Sequence, residues 1–187
     1  MDFVEELERL KELLVEKSFS YGYFTLSSGE ESTYYFDGRL TTLSPEGAYL
    51  VGRRVLSLVR EAGIDAVGGP TLGADPIVTA VALTSHQEGC PLPAFIVRKE
   101  PKKHGAQRYI EGNFPEGGTV AIVDDVITSG GSILRAIEVV EAAGAHVGKV
   151  IALVDRNQGG SEELRQNGYN FTSLFSADEE GNVSISI

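Results

Sequence analysis

The chain of 187 residues carries 16 Lys and Arg against 27 Asp and Glu, a formal net charge of −11, with 42% hydrophobic and 23% charged residues. That length suits one well-buried domain and is short for two, and the composition is that of a globular protein rather than a disordered one. The acidity argues against nucleic-acid and anionic-membrane partners, no run of about 18 apolar residues offers a membrane span, the acidic N-terminus is unlike a signal peptide, and the single Cys90 fits a reducing, cytoplasmic setting.

Phe3 to Val15 places apolar residues at Phe3, Val4, Leu7, Leu10, Leu13 and Leu14, a helical spacing. Phe24-Thr25-Leu26 and Tyr34-Tyr35-Phe36 flank Ser28-Gly29-Glu30 and read as two short strands around a turn. Ser44-Pro45-Glu46 starts a helix with proline in its first turn, and the pattern runs to about Ala62. The chain then alternates, with Asp65–Gly69 a strand, Pro76–Glu88 a helix, and Ala94–Val97 and Thr119–Val123 strands. Ser132–Ala143 is a helix closed by Gly144, Val147–Val154 a strand, Ser161–Asn167 a short helix closed by Gly168, and Phe171–Leu174 a last strand. Such alternation predicts an α/β fold with a parallel, right-handed central sheet flanked by helices. Ligands of these sheets bind beyond the carboxyl ends of the strands, so functional residues are expected just after each strand.

An acidic chain repels a phosphorylated ligand unless positive charge is gathered in one place. Arg98, Lys99, Lys102, Lys103, His104 and Arg108 form such a cluster, opposed only by Glu100. A basic run is commonly a solvated loop; its opposition to the charge of the whole chain favours an anion site here.

The strand Val120-Ala121-Ile122-Val123 is followed by Asp124-Asp125-Val126-Ile127-Thr128-Ser129-Gly130-Gly131-Ser132 and then a helix. Paired carboxylates at a strand end can accept hydrogen bonds from two vicinal ribose hydroxyls. The small residues Thr128–Ser132 leave backbone N–H groups able to converge on a phosphate, and the helix adds its unpaired N–H groups and positive dipole end. A P-loop would need Gly-Lys-Ser/Thr and a dinucleotide fingerprint Gly-x-Gly-x-x-Gly; neither occurs here.

The segment Val120–Ser132 resembles the phosphoribosyl pyrophosphate (PRPP) signature of the type I phosphoribosyltransferases. Phe24-Thr25-Leu26-Ser27-Ser28-Gly29, Tyr34-Tyr35-Phe36-Asp37, Gly68-Gly69-Pro70-Thr71, Val97-Arg98-Lys99, Lys102-Lys103-His104-Gly105, Ile110-Glu111-Gly112 and Val154-Asp155-Arg156 are similar to the orotate-specific branch, in its order and spacing. The resemblance implies a single domain, with residues 1–43 mainly an N-terminal hood containing a β-hairpin and 44–175 the PRPP-binding core. It implies transfer of ribose 5-phosphate from PRPP to orotate, giving orotidine monophosphate and pyrophosphate. By the same carry-over Asp124 and Asp125 hold the ribose hydroxyls and stand near Mg²⁺ without enclosing it. Val126, Ile127, Thr128, Ser129, Gly130, Gly131 and Ser132 surround the 5-phosphate. Arg98, Lys99, Lys102 and His104 neutralise pyrophosphate on a lid shared across a homodimer. Lys102, His104 and Asp125 are the catalytic candidates, and Thr128 and Arg156 meet the base, Arg156 taking its carboxylate.

Tyr34-Tyr35-Phe36 offers a stacking face, although core packing accounts equally well for two of the three, and Asp155-Arg156 also reads as a surface ion pair. Ser27 and Leu72-Gly73 depart from the pattern, standing where well-known bacterial members have a lysine and a Tyr-Lys pair. Two other readings compete: a phosphoribosyltransferase for another base, and a PRPP-sensing regulator. The first gives Arg156 nothing to pair with if the base is neutral, and the second calls for a basic face that this composition lacks.

Overall fold

The computed structural model describes residues 2–25, 31–101 and 109–187. Its elements are α1 (Phe3–Lys17), β1 (Phe19–Thr25), β2 (Glu31–Phe36), α2 (Arg39–Thr42), α3 (Pro45–Glu61), β3 (Ala66–Gly68), α4 (Ala74–Gln87), β4 (Phe95–Val97), β5 (Ile110–Gly112), β6 (Thr119–Ile127), α5 (Gly131–Ala142), β7 (His146–Asp155), α6 (Gly160–Gln166), β8 (Phe171–Ala177) and β9 (Val183–Ile185).

Local chemistry fixes the long helix starts. Asp2 accepts the Val4 and Glu5 amides at 2.9 Å while Glu5 accepts the Asp2 amide, a reciprocal cap for α1. Ser44 accepts the Gly47 amide at 3.2 Å and Pro45 fills the first position of α3.

The central sheet has the order β3-β6-β7-β8-β9, parallel through β8 and closed by antiparallel β9. Side-chain alternation then divides the core in two. Ala121 and Val123 of β6, with Ile151 and Leu153 of β7, pack on the side of α1, α3 and α4. Val120 and Ile122, with Val150 and Ala152, pack on the side of α5 and α6. Helices therefore cover both faces, as the strand–helix alternation predicts.

Three features depart from that reading. The strand at 95–97 leaves the main sheet to pair antiparallel with β5, keeping only isolated bridges to Val67 and Pro70. The chain past Leu174 continues β8 to Ala177 and returns as β9, because the Asp178 carboxylate accepts the amides of Glu180 (3.0 Å) and Asn182 (2.8 Å) and closes the turn. Strand β6 runs to Ile127, so Asp124 and Asp125 sit within it instead of after it.

The hairpin β1–β2 rests on that β8–β9 turn. Tyr21 Oη donates to the Gly181 carbonyl at 3.2 Å, and Thr33 Oγ1 to the Glu179 carbonyl at 3.2 Å. Helix α1 is tied to α3 by a buried charge cluster, with Glu6 3.0 Å from Arg53 and 2.6 Å from Arg54. Arg54 also lies 4.5 Å from the centroid of the Phe3 ring. No described helix is long and apolar enough to cross a membrane.

Helices α3 and α4 cross at Gly52, where a Cβ would stand 2.8 Å from Thr84 Oγ1 and 2.9 Å from the Ala80 carbonyl oxygen. Gly52→Ala gains about 1 kcal/mol of helix propensity and loses about 1–3 kcal/mol to overpacking. Its thermal midpoint should therefore fall below that of the parent protein in a melt. A rise would mean that the crossing yields easily.

Candidate active site

Alternation along β6 continues past the core and aims two adjacent carboxylates at different helix ends. Asp124 shares its face with Val120 and Ile122 and points toward α5, where Ser132 Oγ donates to its Oδ2 at 3.2 Å. Asp125 points the other way, between the starts of α2 and α4. A Cβ on Gly38 would lie 2.8 Å from Asp125 Oδ2, and one on Gly73 2.3 Å from Asp125 Oδ1 and 2.5 Å from Asp124 Oδ1. Gly38 and Gly73 are the capping positions of α2 and α4, so each glycine lets a helix start approach the carboxylates. The exposed flank exists because β3 leaves β6 after the Gly68–Ile122 pair, whereas β7 follows it to Ile127–Asp155.

Between β6 and α5 the chain turns through Thr128-Ser129-Gly130. Gly130 has φ of 82°, a conformation that glycine adopts without strain. The turn is braced from α6. The Gly160 amide donates to the Thr128 carbonyl at 2.9 Å, and a Cβ on Gly160 would come within 2.6 Å of the Gly130 nitrogen.

Arg98, Lys99, Asp124, Asp125, Val126, Thr128 and Ser132 line one cavity of about 760 Å³. Ile127 instead packs in the core against α5, Ser129 and Gly130 shape the turn, and Gly131 opens onto a separate groove beside α5. Arg156 lies next to the cavity without lining it. Its amide donates to the Ile127 carbonyl at 3.0 Å, its Nε donates to Tyr34 Oη at 2.8 Å, and its guanidinium lies 4.5 Å from the Tyr34 ring centroid. Asp155 is buried and accepts the Asn157 amide at 2.9 Å, so its carboxylate is engaged in the strand-end turn. Of the aromatic run, Tyr34 and Phe36 are buried, Phe36 also reaching the cavity wall, and Tyr35 is exposed. Lys102 and His104 lie outside the described residues, as does Ser27.

Sequence reasoning missed Arg39 and gave Asp37 no role, yet both line the cavity. Arg39 Nε and Nη2 donate to the two Asp37 oxygens at 2.8 and 3.0 Å. The available signal was the pattern Asp37-Gly38-Arg39 immediately after an aromatic strand. No group of three or more His, Cys, Asp or Glu among the described residues is arranged to hold a metal. The aspartate pair is a partial donor set, suited to an ion that brings water and phosphate oxygens with it.

Burial, and after it the Asp125 charge, hold the Asp124 carboxyl well above the usual carboxylate range. Burial also raises Asp125, against the pull of the Asp124 hydrogen bond and the Arg39 charge. An unfolded chain ionises Asp124 at the ordinary carboxylate pKa and the folded protein only at higher pH. Folding therefore retains a proton in that window, and stability falls as pH rises through it. Asp124→Asn removes the penalty. Its ligand-free melting temperature should exceed the parent's at about pH 8 and converge on it only at about pH 3, below the ordinary carboxylate pKa, where the carboxyl is protonated in both states. Melts that differ by a pH-independent amount would contradict this.

The phosphoribosyl transferase domain family matches residues 51–178. The orotate phosphoribosyltransferase of Nostoc sp. is 48% identical over 168 residues, covering 89% of this chain and 81% of the relative. That of Aquifex aeolicus is 44% identical over 177 residues, covering 93% and 97%. The crystal structure of Mycobacterium tuberculosis orotate phosphoribosyltransferase in complex with PRPP has a TM-score of 0.78 at 36% identity, covering 91% of this chain and 96% of that one. With two-thirds of its length matched by one family and nearly all of it by these relatives, the chain belongs to the phosphoribosyl transferases, in their orotate phosphoribosyltransferase branch.

Proposed function

We propose that this cavity transfers the 5-phosphoribosyl group of PRPP to orotate, yielding orotidine 5′-monophosphate and pyrophosphate in pyrimidine biosynthesis. One observation carries the assignment to this site: two buried carboxylates on β6 lie between a phosphate-type turn at Thr128–Ser132 and a wall holding Arg39, Arg98 and Lys99. PRPP has the same order of chemistry, phosphate, vicinal diol and diphosphate.

In this reading Asp124 and Asp125 accept hydrogen bonds from the ribose hydroxyls, and the 128–132 turn takes the 5-phosphate through backbone N–H groups and the α5 dipole. Arg98 and Lys99, with Lys102 and His104, offset charge on the leaving pyrophosphate. The C1–O bond breaks, the bond from orotate N1 to C1 forms, and the N1 proton leaves to solvent or pyrophosphate. Positioning and electrostatics supply most of the acceleration for such a dissociative step. Arg156 meets the orotate carboxylate. Tyr34 already engages its Nε, which leaves both Nη groups to form a two-point contact. Mg²⁺ fits beside the aspartate pair, held largely by substrate and water oxygens, and when bound it would offset diphosphate charge. Residues 1–43 act as the hood and 44–175 as the PRPP-binding core. The family resemblance implies a homodimer whose lids cross between sites, and exposed Leu40, Leu43 and Leu72 offer apolar surface to such a contact.

Purified protein given orotate, PRPP and Mg²⁺ should consume orotate in the ultraviolet and release pyrophosphate, and chelation of the metal should stop both. Tight PRPP binding with no loss of orotate would send the search to other bases. Arg156→Lys should raise KM for orotate by about tenfold to a hundredfold, the scale of a lost charge-assisted pair, with KM for PRPP within about twofold. Equal rises in both would remove Arg156 from base recognition. Lys102→Ala and Asp125→Asn should each be nearly inactive alone, and mixed dimers of the two should recover activity. Verified heterodimers with none would exclude a shared site.

A further inference from the structure

The proposed substrate leaves one part of the cavity short of positive charge. With the 5-phosphate at Thr128–Ser132 and the ribose on the aspartates, the diphosphate faces the wall formed by Arg39, Leu72, Gly73, Arg98 and Lys99. Leu72 brings no charge, and Gly73 stands so close to both carboxylates that no side chain shares its place. Asp37, Glu100, Asp124 and Asp125 supply four carboxylates to the same cavity, against three cations from its described residues.

Arg39 is built into this position. The residue before it, Gly38, makes the close approach to Asp125, which brings Arg39 to the edge of the aspartate pair. Asp37 accepts the Arg39 amide at 3.1 Å as well as Nε and Nη2, fixing the plane of the guanidinium. Nη1 is left without a partner among the described residues, on a side chain that is 43% exposed. A guanidinium held flat, with free donors facing a cavity, suits phosphate oxygens.

We propose that Arg39 is a further substrate-binding residue that meets the diphosphate of PRPP beside Asp125, with Asp37 as its positioning partner. This rests on the reading of the cavity as a PRPP site. The competing role is structural, Asp37 and Arg39 merely closing the turn into α2.

Steady-state kinetics of the purified protein separate the two. Arg39→Gln should raise KM for PRPP by about tenfold to a hundredfold, leave KM for orotate within about twofold, and weaken inhibition by pyrophosphate to a similar degree, without lowering the melting temperature. Arg39→Lys should recover part of the loss. Asp37→Asn breaks the same intramolecular pair but leaves the cation in the cavity, so it should raise KM for PRPP less than Arg39→Gln does. The proposal is overturned if Arg39→Gln keeps the parental KM for PRPP, or if Asp37→Asn reproduces its whole defect together with a drop in melting temperature. A parent protein that neither binds PRPP nor turns it over would instead refute the function on which the proposal rests.

Discussion

The site depends on keeping two adjacent aspartates inside the protein. Burial of carboxylates costs several kcal/mol per ion unless partners offset it, and the described partners of Asp124 and Asp125 offset it only in part. Asp124 accepts one hydroxyl and one neighbouring amide; Asp125 feels Arg39, which is already shared with Asp37. The remaining imbalance is what a diol, a cation or both would relieve. The ligand-free protein therefore gives up stability at the place where the proposed site would hold its substrate.

Geometry around the pair follows from that constraint. Three helix starts converge on it, and at two of them the converging residue is glycine, because no Cβ fits between the helix end and a carboxylate. The same economy recurs in the 128–130 turn, where Gly160 leaves α6 flush against the backbone of Gly130. Close backbone approach positions N–H groups without long side chains, and it costs no reorganisation when a charged ligand arrives.

The hood is coupled to this centre through a second chain of contacts. Asp178 closes the β8–β9 turn, Gly181 in that turn has φ of 85°, and a Cβ there would stand 2.9 Å from the Tyr34 ring. Tyr34 in turn holds Arg156 by its hydroxyl and its face. The acidic segment Asp178-Glu179-Glu180, opaque as sequence, is thus a turn that supports the hairpin. Strand periodicity and turn chemistry made β6, α5, β7 and the 128–132 segment legible, since each is a local pattern with one physical meaning. Arg39 was not legible as a cavity residue, nor Tyr34, offered only as a stacking face or core residue, as the partner of Arg156. Their importance comes from β1–β2 folding over the sheet, which brings residues far apart in the chain to Asp125 and Arg156. The antiparallel departures of β4 and β9 were hidden for a related reason: a short apolar run states that it is buried and not which strand it pairs with.

Net charge acquires a local meaning from this arrangement. A protein of charge −11 repels a polyphosphate at long range, with a reach of about 8–10 Å at physiological salt. Arg39, Arg98 and Lys99 oppose that field at one wall of one cavity; with side chains this exposed, it is their grouping and not burial that offsets the repulsion. Anions are thus discouraged everywhere except where a guanidinium, an ammonium and a row of backbone amides face them together. In the proposed reading, a ligand with only one of these groups satisfies one end of the cavity and leaves the other unpaired, so spacing favours a substrate that carries both a phosphate and a diphosphate.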